Sequence, residues 1–139
     1  ACAFAIISNR ELRTRFKKAM RGLVGGVNFC GLAACEAAYR HAEPWRLALL
    51  DYLRGNRDLL EEVVTRDIPG IHVGHIEATY LAWLNVRDLQ LDEPVRFFEE
   101  AGLGLSDGAA FGDADYVRLN FGCPRQLLRE GLVRLATKP

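Results

Sequence analysis

The sequence predicts an α+β fold: a small antiparallel or mixed sheet covered by helices, with a helical segment leading into it. Three observations carry that expectation. Tyr80, Ala82, Leu84 and Val86 alternate with Thr79, Leu81, Trp83 and Asn85, which is the period of a strand with apolar groups on both faces. Val117, Leu119 and Phe121 alternate with Arg118 and Asn120 in the same way. Around both stretches, apolar residues recur at helical spacing. The chain has 139 residues, 50% of them hydrophobic, enough for one compact core.

Taken in order, residues 3–7 are apolar without alternation, the pattern of a strand buried on both faces. No turn precedes them and the chain opens at Ala1 without a methionine, so it reads as joined in mid-domain. Ser8 and Glu11 have capping-box spacing and open a helix. That helix sets Leu12, Phe16, Ala19 and Met20 on one side, and Arg10, Arg13, Arg15, Lys17, Lys18 and Arg21 on the other. A solvated face accounts for those charges. Gly22, Gly25 and Gly26 make a flexible connector; the G-x-x-x-x-G-K-[ST] spacing of a phosphate loop is missing.

Small residues between Phe29 and His41 predict a closely packing helix. Pro44 opens the next one, where a missing N–H costs nothing. Trp45, Leu49, Tyr52, Leu53, Leu59, Leu60 and Val63 carry it for about five turns, with Gly55 and Asn56 expected to loosen its middle and Pro69-Gly70 to end it. Residues 71–76 are the expected partner of the 79–86 strand. Asp92 is the expected cap of a helix with Pro94 in its first turn, Gly102 just past its end, and Val95 and Phe98 inward. A glycine-rich loop, 104–112, leads to the strand 116–121. Pro124 starts a last helix with Leu127, Leu128, Leu132 and Leu135 inward. Residues 68–139 form the α+β unit, and the expected boundary or hinge falls within 43–66.

Composition excludes several partners. Lys plus Arg and Asp plus Glu both number 18, so the net charge is zero, and no basic footprint points to nucleic acid or an anionic membrane. No stretch approaches the roughly 20 apolar residues of a membrane helix, and no signal-peptide order is present. Cys2, Cys30, Cys35 and Cys123 match no zinc spacing and read as buried free thiols in a reducing compartment, which makes the expected location cytoplasmic.

Among residues that could carry chemistry, Arg118 leads. An arginine fixed on a packed strand presents a planar fork suited to two-point recognition of a carboxylate; a surface salt bridge is the other reading, worth little. His72, His75 and Glu77 invite a metal hypothesis, but positions 72 and 75 on an extended strand point to opposite faces, so no metal site is expected. His41 suits a helix C-terminus. No G-x-S-x-G is present, and the paired acids Glu61/Glu62 and Glu99/Glu100 lie on helices with apolar opposite faces, so hydrolase chemistry is not indicated.

The phrase Val117-Arg118-Leu119-Asn120-Phe121-Gly122-Cys123-Pro124-Arg125 closely resembles the "VRLN-GCPR" ending of the MalY/PatB-type carbon–sulfur lyases, a branch of the fold-type I pyridoxal-phosphate (PLP) enzymes. Two further phrases fit in the same order. Ala37-Ala38-Tyr39 through Pro44-Trp45, then Tyr52-Leu53-Arg54-Gly55-Asn56, resembles that family's "AAY…W…YL..N" region, and Ala78-Thr79-Tyr80-Leu81-Ala82-Trp83-Leu84-Asn85 is similar to its "TYLAWLD" strand.

The resemblance implies a C-terminal portion of such an enzyme: residues 1–42 as the tail end of the PLP-binding large domain, and 43–139 as the small domain. It implies that Arg118 holds the α-carboxylate of an amino-acid substrate. Gly26 and Asn28, in the stretch 25–28, would approach the cofactor phosphate of the neighbouring subunit in a homodimer. Tyr80 and Trp83 fall near the substrate entrance and are read as structural. One departure is plain: the family's "SK-x-[FW]-N" phrase, with its Schiff-base lysine, does not occur here, and Lys17, Lys18 and Lys138 stand in other contexts. The chain alone is therefore expected to hold no PLP and to be inert, its catalytic residues lying upstream. The intact protein is expected to be a lyase cleaving cystathionine or cysteine conjugates to thiol, pyruvate and ammonia. The alternatives are an aminotransferase on the same architecture and a non-enzymatic binding domain that keeps the scaffold without the active site. Truncation also predicts that residues 1–7 lack sheet neighbours and leave apolar surface that invites dimerisation.

Overall fold

A computed structural model describes residues 2–137, and the chain divides into two compact units, Ala1–Leu47 and Ala48–Pro139. The first holds α1 (Arg10–Met20) and α2 (Phe29–His41). Asn9, rather than Ser8, caps α1: its side-chain oxygen accepts from the Leu12 backbone N–H at 3.0 Å. Starting the helix one residue later moves the cap with it, because the capping oxygen must reach the first unpaired N–H groups. Asn28 does the same for α2, accepting from Gly31 at 2.6 Å.

Residues 3–7 form no strand. A strand buried on both faces needs neighbours on both sides, and every paired strand among the described residues lies in the second unit. Ile6 is 89% exposed, and the segment is held by Arg13, which donates to the carbonyls of Ile7 and Ser8, and by an edge-on contact of Phe4 with Tyr39. Neither α1 nor α2 contains a buried residue. The apolar sides read from the sequence are present in the first unit but uncovered.

The second unit carries the core. Most of α3 (Glu43–Asp67) lies here, followed by β1 (His72–Val73), β2 (Leu81–Asn85), α4 (Pro94–Glu100), β3 (Ser106–Asp107), β4 (Tyr116–Asn120) and α5 (Arg125–Thr137). The sheet order is β1-β2-β4-β3, antiparallel throughout. In the central pair Ala82 faces Leu119, Trp83 faces Arg118, and Leu84 faces Val117. The pleat sends Ala82, Leu84, Val117 and Leu119 to one face, where they are buried with Leu60 and Val64 of α3, Phe98 of α4, and Leu128, Leu132 and Leu135 of α5. The opposite face, with Leu81, Trp83, Asn85, Tyr116 and Arg118, is only half-buried. One sheet face covered and one open is a common state for an antiparallel sheet.

Several boundaries differ from the expected ones. The strand starts at Leu81 because Thr79 takes a left-handed φ of 68°, and its hydroxyl accepts from the Leu81 N–H, which is turn chemistry. The helix α4 begins at Pro94 with Glu93, not Asp92, at the cap position and no side-chain capping bond; proline's preset φ makes the start without one. Gly102 follows the end of α4 at φ 78°, as expected. Leu127 points outward on α5, 56% exposed, because the buried stripe runs through Leu128, Leu132 and Leu135.

The helix α3 also runs unbroken through Gly55 and Asn56. Both residues serve packing. A Cβ on Gly55 would overlap the Arg125 guanidinium. The fully buried Asn56 donates to the carbonyls of Phe121 at 3.0 Å and Cys123 at 2.9 Å, while its own oxygen accepts from Arg125 Nε at 3.0 Å.

Candidate functional site

On the open face of the sheet aromatic, polar and cationic side chains converge. Trp83 and Tyr116 lie on neighbouring strands and stack at 5.2 Å with an interplanar angle of 12°. Phe111, from the short 3₁₀ turn Gly108–Phe111, meets Trp83 edge-on at 5.9 Å. Beside them a cleft of about 490 Å³ is lined by His72, His75, Leu81, Trp83, Asn85 and Tyr116.

Arg118 sits in this setting. It is half-buried, opposite Trp83 on β2 and opposite Ser106 on β3. Its Nη2 donates to Ser106 Oγ at 3.1 Å, and its Cζ lies 4.5 Å from the centre of the Phe111 ring. Among the described residues no ion pair joins it to a carboxylate. Ser106 takes one of its five N–H donors, and the others, a second Nη2 hydrogen included, remain for an anion brought from outside.

The other arginine of the same phrase is committed. The Arg125 backbone N–H donates to the Tyr52 hydroxyl at 2.6 Å, its Nε to Asn56 and its Nη2 to the Tyr52 carbonyl at 3.1 Å, with the guanidinium over the Tyr52 ring. These bonds staple the turn after β4 to α3, and the two phrases Tyr52–Asn56 and Gly122–Arg125 meet in them. Sequence reading recorded both phrases but did not see that they touch. The signal was a lone asparagine and a glycine inside a helix, residues that weaken a helix unless something compensates.

The remaining candidates separate. His72 pairs with Asp88 at 2.8 Å, and His75 with Glu61, which also accepts from the Ile76 N–H. Each histidine is thus held by its own carboxylate, and no group of three ligand side chains gathers among the described residues. Gly26 lies in the connector of the first unit with open space where a Cβ would be, and Asn28 caps α2 there. Arg118 belongs to the second unit. No helix among the described residues is long and apolar enough to cross a membrane.

The cysteines are free, but Cys30 is exposed and Cys2, Cys35 and Cys123 are only half-buried, less than expected. A hydrogen bond with Cys2 pushes the Cys35 thiol above its ordinary pKa, and burial does the same for Cys123. An apolar groove of about 240 Å³ near Cys123, bounded by Leu103, Leu105 and Leu127, therefore offers packing surface rather than a nucleophile.

Lys17 and Lys18 are adjacent and exposed on the last turn of α1, and Lys138 lies outside the described residues.

No family model matches the chain. Individual relatives do. It is 34% identical over 139 residues to a cystathionine beta-lyase of Corynebacterium glutamicum, covering 98% of this chain and 37% of the relative. It is 31% identical over 140 residues to the protein MalY of Escherichia coli, covering 96% and 36%. Among solved structures, OvoB superposes with a TM-score of 0.91 and 45% identity over 96% of this chain and 35% of its own. Cystalysin from Treponema denticola, whose crystals contain pyridoxal 5'-phosphate, superposes with a TM-score of 0.85 and 28% identity over 96% and 35%. The chain thus spans little more than a third of the length of the proteins it matches.

Proposed function

We infer that this chain, which corresponds to the C-terminal part of the MalY/PatB-type PLP-dependent C–S lyases, supplies the substrate-carboxylate anchor of such an enzyme. The observation that carries this reading is Arg118: half-buried on the open sheet face, braced on one side and without an acidic partner among the described residues. Its remaining Nη2 hydrogen and a neighbouring N–H of the fork would donate to the two oxygens of an amino-acid α-carboxylate. The stacked Trp83 and Tyr116 would wall the site beside it and limit water.

The rest of the active site is proposed to come from the remaining part of the protein. There PLP, when bound, supplies the electron sink that stabilises a carbanion at the substrate α-carbon. On this proposal residues 1–42 close the large domain, 43–139 form the small one, and Gly26 and Asn28 approach the cofactor phosphate of a second subunit. The open surroundings of Gly26 would let its backbone come close to a phosphate. The first unit's exposed Leu23, Phe29 and Trp45 favour a homodimer, and the four free thiols suit the cytoplasm.

Product analysis tests the reaction class. The protein carrying this chain, incubated with L-cystathionine and PLP, is expected to release pyruvate without any added keto acid. Amino transfer to an added keto acid, with no pyruvate in its absence, would replace the lyase reading with the aminotransferase one. Activity of neither kind would leave the scaffold as a binding domain.

A further inference from the structure

Ser106 and Phe111 belong to the glycine-rich stretch that the sequence presented only as a loop. Both touch Arg118. Ser106 is its ladder partner in the β3–β4 pair, and its hydroxyl takes Nη2 at 3.1 Å. Phe111 covers one guanidinium face at 4.5 Å. Its ring is 55% exposed and its other contact is the edge of Trp83, so burial alone explains little of an aromatic residue at this place.

The stretch between the two is tied down by its own bonds. The Asp107 side chain caps the 3₁₀ turn by accepting from the Ala109 N–H at 2.9 Å. Gly112 turns the chain at φ 99° and donates back to Ala109. Gly108 is buried, and a Cβ there would overlap the carbonyl oxygens of Tyr116 and Asp113. The turn is thus pressed against the start of β4, and Phe111 is delivered over Arg118 with little freedom.

We propose that Ser106 and Phe111 are positioning residues for Arg118: Phe111 fixes the plane of its guanidinium and Ser106 takes one of the two Nη2 hydrogens, so the edge that pairs the other Nη2 hydrogen with a neighbouring N–H is turned out for two-point capture of a carboxylate. This inference rests on the carboxylate reading of Arg118. A preset fork loses less rotational freedom on binding than a mobile one. Without the ring and the hydroxyl, Arg118 would still carry its charge but would sample several planes.

The test uses the 139-residue chain itself, labelled with ¹⁵N and observed through the Arg118 side-chain N–H signals, with acetate as the carboxylate probe. Phe111→Leu is expected to speed guanidinium rotation and weaken acetate binding about two- to tenfold, the size of a cation–π contact. Phe111→Tyr keeps a ring and should restore both, and Ser106→Ala should free Nη2 with the amide spectrum otherwise native. Rotation unchanged from wild type in both Phe111→Leu and Ser106→Ala would overturn the proposal. If acetate leaves the wild-type Arg118 signal unmoved, the carboxylate reading fails. Faster rotation in Phe111→Leu would even then uphold the positioning.

Discussion

Replacing Asn56 by alanine removes the joint between α3 and the turn after β4. The side chain is fully buried and makes three hydrogen bonds, two donated to the Phe121 and Cys123 carbonyls and one accepted from Arg125. Each such bond contributes about 1 kcal/mol net, and each buried partner left unpaired costs about that or more, so the loss is about 3 kcal/mol. Alanine gains some helix propensity over asparagine, but only about 0.5 kcal/mol. For a unit the size of Ala48–Pro139, that loss lowers Tm on the order of 10–20 °C. Urea unfolding followed by Trp83 fluorescence, in a Trp45→Phe background that silences the first unit, should show a midpoint lower by about 1–3 M at unchanged slope. A loss below about 1 kcal/mol would mean that water or a shifted Arg125 satisfies the same carbonyls, and that the joint is not what ties β4 to α3.

Gly55→Ala should destabilise, although the same change in an exposed helix gains about 1 kcal/mol, because the new Cβ displaces Arg125 from its place over Tyr52; a raised midpoint in urea would contradict this. Gly108→Ala should cost more than about 2 kcal/mol, since backbone oxygens of Tyr116 and Asp113 stand in the way, whereas Gly26→Ala, with open space around it, should stay within about 0.5 kcal/mol of wild type by the same measurement. Burial holds the Cys123 thiol above its ordinary pKa, so its thiolate is scarce at neutral pH, and alkylation by iodoacetamide should lag behind the exposed Cys30 and accelerate only in more alkaline buffer. Equal labelling rates for the two at neutral pH, read by mass spectrometry, would refute that.

The elements of the second unit were legible because their signals are periodic. The alternation in 79–86 and 116–121 named the two central strands and, with them, which face would be buried. Val117, Leu119 and Phe121 did go inward, and Arg118 to the other face. What failed were signals that depend on partners. Residues 3–7 have the composition of a buried strand, but a strand exists only when another pairs with it. Leu127 and Leu128 look alike to the sequence, and only packing chose between them. Gly55 and Asn56 looked like weak points because the guanidinium that justifies them lies 70 and 69 residues away along the chain. Of the proposed site, Arg118 stood out by its strand position and by the phrase around it, while Ser106 and Phe111, in a glycine-rich loop, gave no periodic signal at all.

The central claim is that Arg118 reads the substrate's α-carboxylate. In the protein carrying this chain, kcat/KM would be compared for L-cystathionine and for the same compound with the α-carboxylate of its cysteine half converted to the amide, in wild type and in Arg118→Met. The account predicts that wild type favours the carboxylate on the order of a hundredfold, the worth of a charge-assisted two-point contact, and that Arg118→Met loses that preference while reacting slowly with both. If Arg118→Met keeps the wild-type preference for the carboxylate, another residue holds it, and the account of this site is wrong.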